Sequence, residues 1–161
     1  MIGNDVIDLE LSRIESNWKR KGFLDKLFSK REQKMIQNAK NSELMVWNLW
    51  SRKEAAYKII IQKGGKKGYY PIEIECLDGI SENGIVIFEK QLFYTKTYFK
   101  KNFVYSEAVE NYIDFENIVT INNSELIFKE NGIPFLKLNN KTFSVSKTHH
   151  GIFEKIIYLK S

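Results

Sequence analysis

The segment Trp50-Ser51-Arg52-Lys53-Glu54-Ala55-Ala56-Tyr57-Lys58 constrains the fold of this chain more than any other feature. On an α-helix each residue turns by about 100°, so Trp50, Glu54 and Lys58 stack along one stripe at successive i, i+4 steps. Trp47 and Ser51 share that sector. The predicted core face on another side of the helix consists of Met45, Leu49, Ala56 and Ile60. The pattern predicts a helix that projects a carboxylate and an ammonium group beside an aromatic wall.

A glutamate followed four residues later by a lysine is also a common solvent-exposed helix pair, worth only about 0.3–0.5 kcal/mol. The N-terminus favours a functional interpretation instead. Residues 1–9 form an apolar, strand-like run with Asp5 in its middle. A buried carboxylate is costly unless it is hydrogen-bonded, ion-paired or bound to a metal. Gly3, just before it, allows close approach of a ligand or of another backbone segment.

Four blocks of this sequence resemble the motifs of the 4'-phosphopantetheinyl transferases. Gly3-Asn4-Asp5-Val6-Ile7-Asp8 and residues 50–58 are similar to the two signature motifs of that family. Asn131-Gly132-Ile133-Pro134-Phe135-Leu136 and Ser146-Lys147-Thr148-His149-His150-Gly151 resemble its Gly-x-Pro-x-Leu and Ser-x-Ser-His elements. The order of the blocks is that of the small holo-acyl-carrier-protein synthase type. No signature is recognisable in residues 66–128.

The resemblance implies transfer of the 4'-phosphopantetheine arm from coenzyme A to a serine of an apo acyl or peptidyl carrier protein, with release of adenosine 3',5'-bisphosphate. Such a reaction requires charge neutralisation and in-line alignment of the nucleophile. By resemblance, Asp5 and Glu54 are the Mg²⁺ ligands, and Glu54 also deprotonates the attacking serine, either directly or through a water. Lys58 neutralises the pyrophosphate or the leaving oxygen, a role that suits a compact, mobile ammonium group.

By the same resemblance, the C-terminal blocks bind coenzyme A. His149 matches the family histidine that contacts a coenzyme A phosphate, and Thr148 replaces the usual serine as a hydroxyl donor. Pro134 belongs to the matching Gly-x-Pro element. Lys147 stands where the family usually has an apolar residue. The adjacent His150 leaves the register open by one position.

Three further residues have alternative roles. Some family members place a third carboxylate two residues after the aspartate, where this sequence has Ile7, so a three-carboxylate site is in doubt. Asp8 or Ser12 is expected to cap the following helix. Lys53 falls in the apolar sector of the helix, where its aliphatic stem is expected to extend the ammonium group to water.

Composition restricts the class of protein. A chain of 161 residues with 43% hydrophobic content predicts one globular domain spanning residues 1–161. No apolar run approaches the length needed to span a bilayer, and Asp5 and Asp8 interrupt the N-terminus, so a cytoplasmic location is expected. The single cysteine, Cys76, is predicted to pack as a small hydrophobic residue.

The net charge of +5 favours an anionic partner. An acidic carrier protein would be steered by Arg13, Lys19, Arg20 and Lys21, although a solvated basic face explains these residues equally well. A nucleic-acid-binding module is a competing hypothesis, because 14% of the residues are aromatic. No recognisable RNA-binding signature supports it.

The remaining pattern predicts the secondary structure. Residues 12–22 and 30–62 are predicted to be helical, with a capped start at residues 28–32. Residues 64–68 break the helix and form either a flexible connector or a phosphate cradle. Strands are predicted between Tyr69 and Phe128. Turns are expected at Asp78-Gly79, Asn83-Gly84 and Asn139-Asn140.

These observations predict an α+β fold in which helices pack on an antiparallel sheet. Resemblance to the trimeric synthases implies a homotrimer in which His149 of one chain meets Asp5 and Glu54 of its neighbour. The departures at Ile7 and Lys147 leave one alternative, a family member that binds coenzyme A or a carrier protein without transferring anything.

Overall fold

The computed structural model describes residues 1–79, 81–122 and 125–160. The helices are α1 (Leu9–Glu15), α2 (Phe23–Leu27), α3 (Lys30–Asn38) and α4 (Ser42–Gln62), with a 3₁₀ helix at Tyr112–Asn117. The strands are β1 (Ile2–Asp8), β2 (Ile74–Cys76), β3 (Asn83–Phe88), β4 (Gln91–Phe99), β5 (Phe103–Val109), β6 (Ile118–Ile121), β7 (Ile127–Glu130), β8 (Ile133–Leu138), β9 (Lys141–His150) and β10 (Phe153–Leu159). Among the described residues, no helix has the length and apolar character needed to cross a membrane.

The strands form two antiparallel sheets of five strands each. The first has the order β1-β5-β4-β3-β2, and the second has the order β6-β10-β9-β8-β7. Helix α4 packs across β1 and β5 of the first sheet, and its buried side chains join the main hydrophobic core. The predicted α+β class is therefore confirmed, with two antiparallel sheets where one was expected.

Close contact between β1 and α4 fixes the geometry of the first sheet. Strand β1 pairs antiparallel with β5, and Asp5 lies opposite Ser106. At Gly3, an added Cβ would overlap the carbonyl oxygen of Ala55 on α4. The absence of a side chain at Gly3 therefore lets the two backbones touch, as the sequence predicted.

Two of the predicted helix boundaries are wrong. The helix expected over residues 12–22 is α1, which ends where the backbone becomes extended at Ser16. The helix expected over residues 30–62 is divided into α3 and α4 because Ala39 is extended and the Asn41 side chain caps the new helix by accepting from Leu44 N (3.1 Å). Competition between capping and helix continuation decides this boundary.

The capping predictions distinguish Asp8 from Ser12. Asp8 caps α1, because its carboxylate accepts from the backbone N–H groups of Glu10 and Leu11. Ser12 lies inside the helix and donates to Leu9 O, so of the two expected alternatives Asp8 is the cap. At α3, Ser29 and Glu32 form the capping box expected for residues 28–32.

The predicted turns have different outcomes. Asn139 and Asn140 form the turn between β8 and β9, and both have positive φ angles (47° and 63°). Asp78-Gly79 lies in the connection from β2 to β3, where Ile80 is outside the described residues. Asn83-Gly84 is not a turn but the start of β3, where an added Cβ at Gly84 would overlap the Arg52 guanidinium group.

Side chains of β9 join the two sheets by accepting hydrogen bonds from backbone N–H groups of β1. Three such hydrogen bonds run from Asn4 N to Ser146 Oγ (2.9 Å), from Val6 N to Thr148 Oγ1 (3.2 Å) and from Asp8 N to His150 Nδ1 (2.8 Å). Alternate residues of β9 thus accept from alternate backbone N–H groups of β1. We call this junction the β1–β9 seam.

Candidate active site

Helix α4 presents Trp50, Glu54 and Lys58 on one stripe, as its sequence predicted. Glu54 and Trp50 line a small cavity of about 210 Å³, which we call the acidic cavity. Its other lining residues are Asp5, Val6, Ile7, Ser12, Ser16, Trp47, His149 and His150. The predicted site residues Asp5, Glu54 and His149 therefore meet in a single chain, and no neighbouring subunit is needed to bring His149 to the two carboxylates.

Asp5 is held by hydrogen bonding and by a cation. Thr148 donates its hydroxyl proton to Asp5 Oδ1 (3.0 Å), and Lys58 Nζ lies 3.9 Å from the same oxygen. Burial nevertheless raises the pKa of Asp5 to about 6, because desolvation outweighs the Lys58 charge and the Thr148 hydrogen bond. The hydroxyl of Thr148, predicted as a coenzyme A donor, is thus committed to orienting Asp5.

Glu54 also lies in an environment that perturbs its pKa. Burial is the main cause that raises its pKa to about 7, and the negative charge of Asp5 adds to it. The raised pKa values mean that the ionised form of each carboxylate is disfavoured when the site holds no cation. A bound divalent cation would favour the ionised forms instead. Oxygen ligands from two carboxylates are the donor set that Mg²⁺ takes in proteins. The residues present therefore fit a magnesium ion.

A third protein carboxylate does not join the pair. Within the described parts of the chain, no group of three or more histidine, cysteine, aspartate or glutamate residues could hold a metal. Ile7 is buried in the core, and Asp8 is engaged with α1 and with Ile152 N (3.4 Å). Neither residue supplies a third carboxylate here, and the two-carboxylate metal site stays a prediction.

Lys58 connects helix α4 to one strand of each sheet. Its ammonium group donates to Asn4 O (2.6 Å) on β1 and to Lys147 O (3.1 Å) on β9. Desolvation lowers its pKa, although the negative charges of Asp5 and Glu54 oppose that change. One turn further along α4, Gln62 makes the same bridge to Ile2 O (2.8 Å) and Val145 O (3.5 Å).

The two adjacent histidines have different environments. His150 Nδ1 accepts from Asp8 N (2.8 Å), so its proton is assigned to Nε2, which lies 3.1 Å from Glu15 Oε2. His149 points to the other side of β9, is exposed and lines the acidic cavity together with a second, larger cleft. Strand alternation thus leaves His149 available to a ligand and makes His150 part of the β1–β9 seam.

The second cleft lies between the C-terminal half of α4 and the second sheet. It has a volume of about 460 Å³, and we call it the interlayer cleft. Its lining comprises Tyr57, Lys58, Ile61, Gln62, Ile127, Lys129, Gly132, Ile133, Pro134, Val145, Ser146, Lys147 and His149. Lys58, Pro134 and His149 were predicted site residues. Lys129 was missed, because it lies in a strand without a recognisable motif.

Lys53 does not extend to water, so the prediction for this residue is wrong. Its side chain is 1% exposed and its ammonium group forms an ion pair with Glu32 (2.6 Å). It also donates to Leu27 O (2.7 Å) and Pro71 O (2.9 Å). Lys53 therefore holds the segments around α4 in place, whereas the adjacent Glu54 faces the cavity.

The glycine- and lysine-rich segment 64–68 lies beside the interlayer cleft. Lys67 Nζ donates to Asn131 O (3.4 Å), and Gly68 N donates to the Tyr57 hydroxyl (3.2 Å). Gly64 has a φ of 82°, which ends α4 at little steric cost. A phosphate-binding role for this segment stays a prediction.

The fold and the paired carboxylates define a class of protein, and comparison with known families identifies it. The family model of the 4'-phosphopantetheinyl transferase superfamily matches residues 1–113. This chain belongs to that superfamily, so the resemblance inferred from its motifs is confirmed. Members use coenzyme A as a substrate, act on carrier proteins and generally require a divalent metal. No curated protein matches the sequence.

Proposed function

We propose that this protein transfers the 4'-phosphopantetheine group of coenzyme A to a serine hydroxyl of an apo acyl or peptidyl carrier protein, as a holo-acyl-carrier-protein synthase does. The observation that carries the proposal is the meeting of Asp5, Glu54 and His149 in one cavity. These residues come from β1, α4 and β9, and the sequence motifs predict a role in the same reaction for each of them.

In this reaction the serine oxygen forms a bond to the β-phosphorus of coenzyme A. The bond from that phosphorus to the bridging oxygen breaks, and adenosine 3',5'-bisphosphate leaves. Glu54 accepts the serine proton as the general base. Asp5 and Glu54 are the residues that would hold Mg²⁺, which supplies positive charge for the pyrophosphate oxygens when bound.

The remaining side chains orient and neutralise the substrates. Thr148 fixes the direction of the Asp5 carboxylate through its 3.0 Å hydrogen bond. Lys58, which lines the interlayer cleft and lies 3.9 Å from Asp5 Oδ1, neutralises the leaving group. The interlayer cleft binds the adenosine bisphosphate half of coenzyme A, with apolar walls beside Pro134 and a phosphate at His149.

Residues 1–161 act as one domain under this proposal, because the acidic cavity takes residues from both sheets. An acidic carrier protein approaches the basic turn after α1. Arg13 is engaged there by Glu43 in a two-point contact (2.9 and 3.1 Å), which leaves Lys19, Arg20 and Lys21 exposed. Association into a trimer stays a prediction, and an active monomer in light scattering would contradict it.

Intact-mass spectrometry of apo carrier proteins, incubated with this protein, coenzyme A and Mg²⁺, tests the reaction. The expected result is a gain of one phosphopantetheine mass that EDTA abolishes. Coenzyme A binding by calorimetry without any mass gain would instead indicate a binding protein that has lost transfer. Absence of both transfer and binding would refute the proposal.

A further inference from the structure

Another cavity on helix α4 lies apart from the candidate active site. It has a volume of about 880 Å³, and we call it the α3–α4 pocket. It is lined by Lys30, Arg31, Lys34, Met35, Asn38, Ala39, Lys40, Asn41, Leu44, Met45, Asn48, Gly79 and Phe99. Over the described ranges, none of these residues lines the acidic cavity or the interlayer cleft. The proposed transfer reaction therefore does not account for this pocket.

The interior of the α3–α4 pocket is apolar and adaptable. Met35, Leu44, Met45 and Phe99 contribute the apolar side chains. Methionine adjusts to irregular ligands because its side chain is unbranched and polarisable. An added Cβ at Gly79 would lie 3.0 Å from Met45 Sδ and 3.4 Å from Met35 Sδ, so the missing side chain keeps the interior open.

The rim of the pocket is cationic. Lys30, Arg31, Lys34 and Lys40 all contribute to its lining, which contains no carboxylate among the residues that the structure describes. Two of three nearby acids are engaged away from the rim. Glu43 pairs with Arg13 (2.9 Å) and Asp78 with Arg52 (3.4 Å), whereas Asp25 pairs with Lys30 of the rim (3.4 Å) and leaves Arg31, Lys34 and Lys40 as the other rim cations. The N-terminus of the 21-residue helix α4 opens at the same rim and adds a positive partial charge.

We propose that the α3–α4 pocket binds a monomeric single-chain amphiphile with an anionic head group, such as a medium- or long-chain fatty acid. The cations would hold the carboxylate, and the apolar interior would hold the chain. A concave cavity within the usual size range of small-molecule sites favours such a ligand over a docked acidic helix. This inference does not depend on the transfer reaction.

Isothermal titration with dodecanoate, below its micelle concentration and with the full chain, tests the ligand class. The expected result is saturable binding of one molecule per chain. Dodecanol, which lacks the charge, should bind at least tenfold more weakly, and dodecylammonium should not bind. Equal binding of all three amphiphiles would overturn the proposal, and so would binding to anionic vesicles without binding to monomeric dodecanoate.

Charge reversal on the rim tests the location. Arg31 and Lys34 are exposed, so the double variant Arg31→Glu/Lys34→Glu should fold normally while raising the dissociation constant of dodecanoate at least tenfold. The matched control Arg20→Glu/Lys21→Glu makes the same charge change elsewhere and should leave the dissociation constant of dodecanoate unchanged. Leu44→Trp, which fills the interior, should abolish binding.

Two outcomes would overturn the location. Equal weakening in the rim and control variants would mean that dodecanoate responds only to net charge. The second outcome combines two results: the unchanged protein does not bind dodecanoate, and the rim variant loses affinity for an apo carrier protein. That combination would identify the pocket as a protein-docking surface. Thermal unfolding of each variant checks that the fold is retained.

Discussion

The two sheets contribute to the candidate site in different ways. The first sheet, which lies wholly within the 113 residues matched by the family model, carries Asp5 and packs directly on the helix that carries Glu54. The second sheet begins at Ile118, outside the match, and reaches the site through the side chains of the β1–β9 seam. The first sheet and its helix therefore supply the two candidate carboxylates. The second sheet supplies the side chain that orients Asp5 and the exposed His149.

This difference indicates how each region responds to mutation. Backbone pairing between β1 and β5 tolerates most side-chain changes, because every residue other than proline supplies the same backbone N–H and C=O groups. The β1–β9 seam instead depends on the identities of Ser146, Thr148 and His150. We therefore expect mutations of the carboxylates on β1 and α4 to cause large losses of activity. Mutations of the second sheet should cause moderate changes in coenzyme A affinity or in stability.

The largest effect is expected at the carboxylates. Glu54→Gln removes the proposed base and one metal ligand, so the transfer rate should fall at least about 10³-fold, equivalent to about 4 kcal/mol. Asp5→Asn should have a similar effect. Mass gain of a carrier protein over time measures the rate. Circular dichroism should match that of the unchanged protein, and near-normal turnover in either variant would refute the metal assignment.

The next effect concerns the contact between β1 and α4. Gly3→Ala places a Cβ against the carbonyl oxygen of Ala55 and should lower the free energy of unfolding by about 3 kcal/mol. Denaturant unfolding measures this loss. Gly22→Ala is the matched control, because it has a positive φ but no neighbour within 4 Å, and it should cost only about 1 kcal/mol. Equal losses of unfolding free energy in the two variants would mean that β1 and α4 are not in close contact at Gly3.

The raised pKa values predict a pH-dependent stability. The folded protein binds protons at Asp5 and Glu54 more tightly than the unfolded chain, whose carboxyl groups have values near 3.8 and 4.5. The free energy of unfolding should therefore fall as the pH rises from about 4 to about 7. Without metal at pH 8, Asp5→Asn should be more stable than the unchanged protein, by on the order of 2 kcal/mol.

Two controls sharpen this prediction. The stability advantage of Asp5→Asn should disappear at pH 4, where Asp5 is protonated in the folded state. Adding MgCl₂ at pH 8 should stabilise the unchanged protein and not the variant, because only the former retains both carboxylates. Metal-independent unfolding curves would exclude the proposed magnesium site, regardless of whether transfer has been detected.

The smallest effects separate the two histidines. His149→Ala removes an exposed side chain and should raise the KM for coenzyme A about tenfold with little change in stability. His150→Ala leaves the Asp8 N–H without its acceptor and should cost about 1 kcal/mol of stability while preserving the KM. The opposite pattern would reverse the assignment of the two residues.

Much of the candidate site could be predicted from local sequence. The i, i+4 spacing placed Trp50, Glu54 and Lys58 on one stripe, and an isolated carboxylate in an apolar strand identified Asp5. Capping chemistry located the start of α3. These features depend on neighbours within a few residues, so the sequence alone is sufficient to define them.

Other features could not be predicted because they depend on distant partners. Lys53 looked like an ordinary apolar-face lysine until folding brought Glu32, 21 positions away, to its ammonium group. The division of residues 30–62 into two helices depended on Asn41 acting as a cap. The choice between His149 and His150 depended on which face of β9 meets β1.

The sequence by itself determined the family and the α+β class, and it supplied the candidate residues for phosphoryl transfer, because residue identity and short-range periodicity are local properties. Only the tertiary structure decided that Asp5, Glu54 and His149 share one cavity in a single chain, and that Thr148 and His150 support it. These contacts join residues more than a hundred positions apart in some cases, such as Thr148 and Asp5. Their formation depends on how the two sheets pack, and no local pattern specifies that arrangement.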